Sequence, residues 1–508
     1  MTLRLAQKLD KNPRELGETL AAKLHEDLKK QVSDISVAGL GFINLKLTDE
    51  ALMEALSVEP EKSLDSKVVV AEYSDPNPFK ILHAGHVYTT VVGDAIANLM
   101  EVAGATVHRV NYGGDVGLHV AKTMWAILKK LDGENPEKLQ TIDKKNRAAW
   151  LADCYVEGNF AYESDETAKN EITEFNKKIY KIQKDNDQES SLAKIYWTGR
   201  QWSYDAFDAF YERLGTKLER YYRESEVSEL GLKLVKAQLG KVFEESDGAV
   251  VFKGEKFDLH TRVFINREGL PTYEAKEVGL IVKKYEDYNY DRSVIVTANE
   301  QEQYMIVVLK AIEQFLPELA RATTHIPHGM VRLSGNVKMS SRLGNIIPAS
   351  AVIEATAKAN YDLIGQENND TTLGAIKYAF LKTRIGGNLI YDPAESVSLE
   401  GNSGPYLQYA HARACSVILK SNSHWAQPKE LTEDERGLVR KISEYPEIVN
   451  KAVAELMPHH ICTYLYELAQ EFNRFYEHNR ILDNERVAER LWIVNHYAKT
   501  LKRGLELL

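Results

Sequence analysis

Val68-Val69-Val70-Ala71-Glu72-Tyr73-Ser74-Asp75-Pro76-Asn77-Pro78 joins an apolar, β-branched run to a stretch of Ser, Asp, Asn and Pro. The run reads as a buried strand and the stretch after it as the loop that ends it. Beyond the loop, residues 88–102 repeat apolar side chains at helical spacing, and 106–110 is the next short strand before Gly113-Gly114. That β-loop-α-β order opens a doubly wound sheet of the nucleotide-binding kind. From 118 to about 225 the chain reads as mostly helical and heavily charged, and strand-like runs resume at Ala249–Phe252, 293–296 and 325–333. The simplest account is an α/β, Rossmann-like, doubly wound parallel sheet over 66–390, carrying a helical insertion at about 118–245. Smaller units flank it. Residues 1–60 read as an α+β domain, with Leu16, Leu20, Leu24 and Leu28 at helical spacing and Phe42–Leu47 alternating like a strand. Residues 400–508 read as an all-helical bundle.

Composition narrows the class. The 508 residues hold 74 acidic against 64 basic side chains, with 44% hydrophobic and 27% charged residues, which excludes collagen-like, disordered and coiled-coil-only chains. No apolar stretch approaches the ~18 residues a membrane span needs, and the N-terminus is charged from Arg4 onward, unlike a signal peptide. Cys154, Cys415 and Cys462 are scattered and form no CxxC pair, which fits a reducing, cytoplasmic compartment and argues against protein-bound zinc. The net charge of -10 argues, taken alone, against a nucleic-acid partner.

The first βα loop continues Asn77-Pro78-Phe79-Lys80-Ile81-Leu82-His83-Ala84-Gly85-His86, with a helix expected from about Gly85. Backbone N–H groups and the positive dipole end at a helix start suit phosphate, Gly85 permits close approach, and His83 and His86 offer donors to phosphoryl oxygens. The plain alternative is that the two imidazoles cap the helix. HxGH is too frequent by chance to decide the matter alone. A second segment, Val337-Lys338-Met339-Ser340-Ser341-Arg342-Leu343-Gly344-Asn345, follows a strand and combines cations, hydroxyls and a Gly-Asn turn, a composition that suits a loop gripping polyphosphate in a transition state. By itself it reads more readily as a solvated turn; together the two segments point to ATP chemistry.

With both in place, the sequence resembles the class I aminoacyl-tRNA synthetases, in which HIGH and KMSKS segments bind ATP, and more narrowly the arginyl-tRNA synthetase family. The resemblance is carried by Val37-Ala38-Gly39-Leu40-Gly41-Phe42-Ile43-Asn44, by 72–86, by 338–342 and by Gly404-Pro405-Tyr406-Leu407-Gln408-Tyr409-Ala410-His411-Ala412-Arg413. It implies a two-step reaction: L-arginine and ATP, with Mg²⁺, form arginyl-adenylate and pyrophosphate, and the arginyl group then passes to the terminal ribose of tRNA(Arg). It implies ATP contacts at His83, Gly85, His86, Met330, Val331, Lys338 and Met339, and catalytic roles for Lys80, His83, His86, Lys338, Ser341 and Arg342. Ser341 stands where KMSKS has its second lysine; Lys80, three residues before the first histidine, replaces that cation from the opposite loop, as in many arginyl enzymes.

Arginine is a planar cation with five N–H donors, so its pocket needs carboxylates with amide or phenol acceptors. The resemblance assigns Glu72, Ser74, Asn77, Tyr273, Glu277 and Gln301. Tyr273 and Glu277 are one helical turn apart, and Glu277 replaces the more usual Asp of the family. The bundle from 400 resembles the anticodon-binding domain, with Tyr464, Tyr466, Phe472, Arg474, Phe475, Tyr476 and Arg480 as stacking or pairing candidates, although helical core packing explains most of those aromatics equally well; residues 1–60 resemble the additional tRNA-binding domain, starting late against the family pattern. The last helix likewise stops short of the usual tail, so the chain reads as trimmed or as a fragment. A monomer is expected, with no membrane partner. The rival readings are a class I lysyl or cysteinyl enzyme, a small-molecule nucleotidylyltransferase using HxGH alone, and a non-enzymatic synthetase-like RNA-binding protein. The lysyl enzyme lacks the Tyr273/Glu277/Gln301 pattern and the N-terminal unit, and the zinc site of the cysteinyl one needs more thiol and His ligands than three scattered cysteines suggest. The third leaves the insertion and bundle unexplained, and the fourth is opposed by the presence of His83, His86 and Lys338.

Overall fold

A computed structural model of the chain describes residues 2–334, 347–421 and 423–508. The N-terminal unit packs the helices Thr2–Leu9 and Pro13–Asp27 beside an antiparallel hairpin, β1 (Val32–Ala38) and β2 (Phe42–Leu47). Asn12 starts the second helix by accepting the N–H of Arg14 at 2.9 Å, the side-chain cap that an Asn before Pro-Arg-Glu is suited to give.

The central sheet is parallel throughout. Its strands are β3 (Val68–Glu72), β4 (Thr106–Gly113) and β5 (Arg220–Arg223), followed after the excursion below by β9 (Arg292–Ala298) and β10 (Thr323–His328), in the spatial order β10-β9-β3-β4-β5. The chain enters at the middle, winds outward to β5, and returns to the other side of β3, so the order reverses between β3 and β9. The apolar helix Ala84–Val102 sits on the sheet with Val87, Val91, Ile96 and Leu99 all buried; each such side chain contributes about 1.5–3 kcal/mol over an exposed position. Between β4 and β5 the helices Leu118–Lys130, Arg147–Ser164, Glu166–Asp185 and Ser191–Leu214 form the insertion around their own core of Met124, Ile127, Ile172, Ile179 and Tyr196.

Two expectations change. Ala249–Phe252 does not join the parallel sheet: as β7 it pairs antiparallel with β6 (Glu244–Ser246) and β8 (Arg262–Ile265) in a separate three-stranded sheet. A β-branched run marks a strand but says nothing about which sheet receives it. The run 325–333 is likewise two strands, because the chain breaks at Gly329, where an added Cβ would lie 2.1 Å from the carbonyl of Gly387. β10 ends there, and β11 (Val331–Leu333) pairs instead with β12 (Leu389–Tyr391). The C-terminal part is helical: Gly404–Leu419, Glu433–Ser443, Tyr445–Glu455, His459–His478 and Val487–Leu505. Among the described residues no helix is long and apolar enough to cross a membrane.

Candidate active site

At the carboxyl ends of β3, β4 and β9, where the strand order reverses, lies a cavity of about 390 Å³. Open α/β sheets bind ligands at this crevice because the connections leave in opposite directions there. Glu72 enters from the end of β3, Asp75 and Asn77 from the loop after it, and Tyr112 from β4. Glu224 comes from the first turn of the helix Glu224–Ala237, Tyr273 and Glu277 from the helix Tyr273–Tyr288, and Gln301 and Tyr304 from the turn and helix after β9. Thus Glu72, Asn77, Tyr273, Glu277 and Gln301, distant in sequence, come together around one space. Ser74 does not line it: buried, with a left-handed backbone (φ 76°), its hydroxyl accepts a hydrogen bond from Tyr211 at 3.0 Å.

Local packing holds the wall in place. Asn77 Oδ1 accepts the N–H of Gly114 at 2.7 Å, and Gly114 has no room for a side chain, since a Cβ there would lie 2.8 Å from both Asn77 Oδ1 and Glu224 Oε1. Glu224 is anchored through its neighbour: Ser225 donates its N–H and hydroxyl to the fully buried Asp115 at 3.1 and 2.8 Å, and Asp115 is paired with Arg200 of the insertion at 3.0 Å.

The cavity is strongly acidic. Glu72, Asp75, Glu224, Glu274, Glu277 and Glu300 line it against Lys80 and Arg262. Several of these charges are balanced, two of them by lysines behind the wall and one by Arg262 of the lining. Lys284, fully buried, forms an ion pair with Glu72, Lys276 with Glu224 at 2.5 Å, and Arg262 with Glu274 at 3.3 Å. Asp75 is held well above the usual carboxylate range by desolvation and by Glu72, against the pull of the Tyr112 N–H. Glu277 is different. Its Oε2 accepts the Tyr304 hydroxyl at 3.1 Å, but Oε1, buried, has no partner among the described residues, and neither has the Tyr112 hydroxyl. Burial and then Glu72 push the Glu277 carboxyl up to about 7, against the opposing effect of Lys284. A buried acceptor left open beside an excess of acid fits a cationic ligand bearing N–H donors.

The helix start at 83–86 has another character. His83 is the N-cap of Ala84–Val102: its Nδ1 accepts the N–H of Gly85 at 3.1 Å, and its own N–H donates to Nδ1 of His86 at 3.1 Å. Both Nδ1 atoms therefore act as acceptors, which leaves the proton of each neutral ring on Nε2. Burial lowers both imidazoles from their ordinary range, His86 furthest, with Lys80 adding to the effect on each. Capping and donation to a ligand are compatible, since each ring caps through one nitrogen and keeps a donor on the other. The space left by Gly85 is occupied by the His83 ring, whose Nδ1 and Cε1 would lie 2.9 Å from an added Cβ. His328 supports the first turn of this helix, its Nε2 lying 2.6 Å from the Thr89 hydroxyl and its ring 4.5 Å from that of Tyr88.

Lys80 reaches both the acidic cavity and a neighbouring one of about 600 Å³, lined by Leu82, Phe207, Phe210 and Arg213. Its ammonium is lowered by burial, supported by Glu224 and opposed by Lys122. Met330 is exposed and Val331 lies in β11. Lys338, Met339, Ser341 and Arg342 fall outside the described residues. In the bundle, Tyr464, Phe472 and Phe475 are core residues, so of the two readings of these aromatics core packing holds for them and base stacking does not. Tyr476 and Tyr409 are exposed, and the Arg413 guanidinium stands 5.4 and 4.9 Å from their ring centres.

The sequence reading missed Asp75, Glu224, Tyr304 and the two buried lysines. Only Asp75 carried a local signal, lying inside the segment already singled out.

Comparison with known proteins bears on all three parts of the chain. Residues 48–392 match the family described as tRNA synthetases class I (R), catalytic domain, residues 407–508 the DALR anticodon binding domain, and residues 1–47 the arginyl tRNA synthetase N terminal domain. The arginine–tRNA ligase of Porphyromonas gingivalis is 29% identical, covering 97% of this chain and 88% of its own, and that of Bacteroides thetaiotaomicron is 28% identical over 97% and 89%. Among solved structures, Thermus thermophilus arginyl-tRNA synthetase superposes with a TM-score of 0.81 at 25% identity, covering 99% of this chain and 92% of its own. The Plasmodium falciparum arginyl-tRNA synthetase shares the fold, with a TM-score of 0.79 at 21% identity over 100% and 90%. With the catalytic profile matching well over half of its length, the chain belongs to the arginyl branch of the class I tRNA synthetases.

Proposed function

We propose that the protein is an arginine–tRNA ligase whose acidic cavity takes the side chain of L-arginine and whose helix start at 83–86 takes the phosphates of ATP. The observation that carries this reading is the open, buried Oε1 of Glu277 in a cavity rich in carboxylates. In the first step an arginine carboxylate oxygen bonds to the α-phosphorus of ATP, the bond to the bridging oxygen of the β-phosphate breaks, and pyrophosphate leaves. In the second, a terminal ribose hydroxyl of the tRNA attacks the acyl carbon, gives up its proton, and AMP leaves.

Glu277, with Glu72 beside it, pairs with the guanidinium; Tyr112 and Tyr304 offer phenol oxygens; Asn77 and Gln301 offer amides to the polar end. His83 and His86 donate from Nε2 to phosphoryl oxygens, and the helix dipole adds to the attraction. Lys80, placed between the two cavities, stabilises charge as it develops on the phosphates, the kind of alignment and electrostatic assistance on which phosphoryl transfer depends. Mg²⁺ enters as part of the nucleotide substrate. Lys338, Ser341 and Arg342 assist at the phosphates, Met330 and Val331 lie along the nucleotide, and the helical bundle receives the tRNA. The protein works in the cytoplasm, as translation enzymes do.

The test is ATP–pyrophosphate exchange with each of the common amino acids, with and without tRNA(Arg). Exchange with arginine alone, stimulated by the tRNA, is the expected result; exchange with lysine or with no amino acid overturns the reading.

A further inference from the structure

Lysine is among the residues least often buried, because its ammonium loses hydration that few interior partners replace. Lys284 is fully buried on the helix Tyr273–Tyr288, seven residues after Glu277, which puts it about 10 Å further along the same helix face. Its ammonium lies behind the acidic cavity and pairs with Glu72, itself only 2% exposed at the end of β3. None of the roles assigned above uses it.

We propose that Lys284 is a positioning residue that sets the charge of the amino-acid pocket: locked to Glu72, it leaves Glu277 as the one buried acid for the ligand to neutralise, and so matches the pocket to a side chain carrying a single positive charge. This rests on the arginine reading of the same cavity.

The surroundings agree from every side. Glu277 faces Glu72 from β3, Glu224 from the helix Glu224–Ala237, Tyr304 from the helix Glu302–Glu313, and Lys284 along its own helix. Glu224 is already paired with Lys276, and Asp75 is held toward its neutral acid. Lys284 faces Glu72, Glu277 and Tyr290, and its attraction to the first two keeps it charged despite burial. With Glu72 and Lys284 cancelling, and Glu300 exposed to solvent, one buried carboxylate with one free oxygen remains. The Glu277 carboxyl, up at about 7, must be ionised to pair with a guanidinium, so binding releases a proton below that pH. Removing the lysine leaves two like charges in one site and raises the Glu277 carboxyl further; removing Glu72 instead lowers it.

The experiment is calorimetric binding of L-arginine from pH 5 to 9 to the full chain, with K284M, K284R, E72Q and E72Q/K284M. The unmodified protein gains affinity as pH rises and levels off above about 7. In K284M the midpoint moves to higher pH by about one unit or more, and in E72Q to lower pH; K284R and the double variant return close to the unmodified midpoint. In aminoacylation K284M raises the arginine KM near neutral pH more than it lowers kcat. A midpoint unchanged in both K284M and E72Q, or a double variant displaced as far as K284M, overturns the proposal. If K284M does not fold, E72Q and the double variant decide it. A wild-type protein that does not bind arginine overturns the arginine reading and this proposal together, whereas arginine binding with fixed midpoints overturns this proposal alone.

Discussion

The acidic cavity and the helix start at 83–86 share one βα loop, yet they solve opposite electrostatic problems. In the cavity, carboxylates gather in excess and are balanced by lysines held behind the wall, so what the structure fixes there is net charge. At the helix start two neutral imidazoles are held by backbone donors, so what is fixed is the position of a proton. Selecting a cation demands the first arrangement, because a buried acid without its counter-charge is costly. Binding phosphate at a helix terminus demands the second, because the dipole and the N–H groups already supply the field and the rings need only point their donors.

The two regions separate under mutation. The largest effect falls on Glu277: E277A lowers kcat/KM for arginine by about 10³-fold while the KM for ATP stays within about threefold, as expected when one member of a buried charge pair is removed. Steady-state aminoacylation with each substrate varied measures both, and an equal loss toward ATP would erase the distinction between the regions. A smaller effect is expected of Lys80, which stands where they meet. K80A slows adenylate formation by roughly 10²-fold with little change in arginine affinity. Single-turnover adenylation beside equilibrium binding checks this; an unchanged rate removes Lys80 from the phosphate side of the comparison.

Most of the catalytic frame was legible because its signals are local. The run 68–71, its Pro-Asn stop and the helical repeat after it define β3, the loop and the helix Ala84–Val102, and the spacing of Tyr273 and Glu277 places both on the first turns of one helix. What escaped depends on distant partners. β5, Arg-Tyr-Tyr-Arg, is a four-residue edge strand with no apolar run, and only its pairing with β4 makes it a strand. Lys276 and Lys284 look like the solvated face of a charged helix, and nothing in the residues near them announces Glu224 and Glu72 as partners, 52 and 212 positions away. Asp75 reads as a turn residue until Glu72 and Glu277 are brought beside it. In the bundle the reverse holds: Tyr464, Phe472 and Phe475 resemble a nucleic-acid face in composition, and packing against the neighbouring helices makes them core. The overall charge of -10 is a guide to the surface alone: an acidic chain suggests no RNA partner, yet this one belongs to a family that acts on tRNA.

The cavity is held to recognise positive charge through Glu277 and its balanced neighbours. L-Citrulline has nearly the shape of L-arginine but an uncharged side chain, so calorimetric titration of both into the full chain at pH 8 isolates the contribution of that charge. Arginine is expected to bind at least about 100-fold more tightly, because citrulline leaves a buried carboxylate without its counter-ion; citrulline binding within a few-fold of arginine would refute recognition by charge.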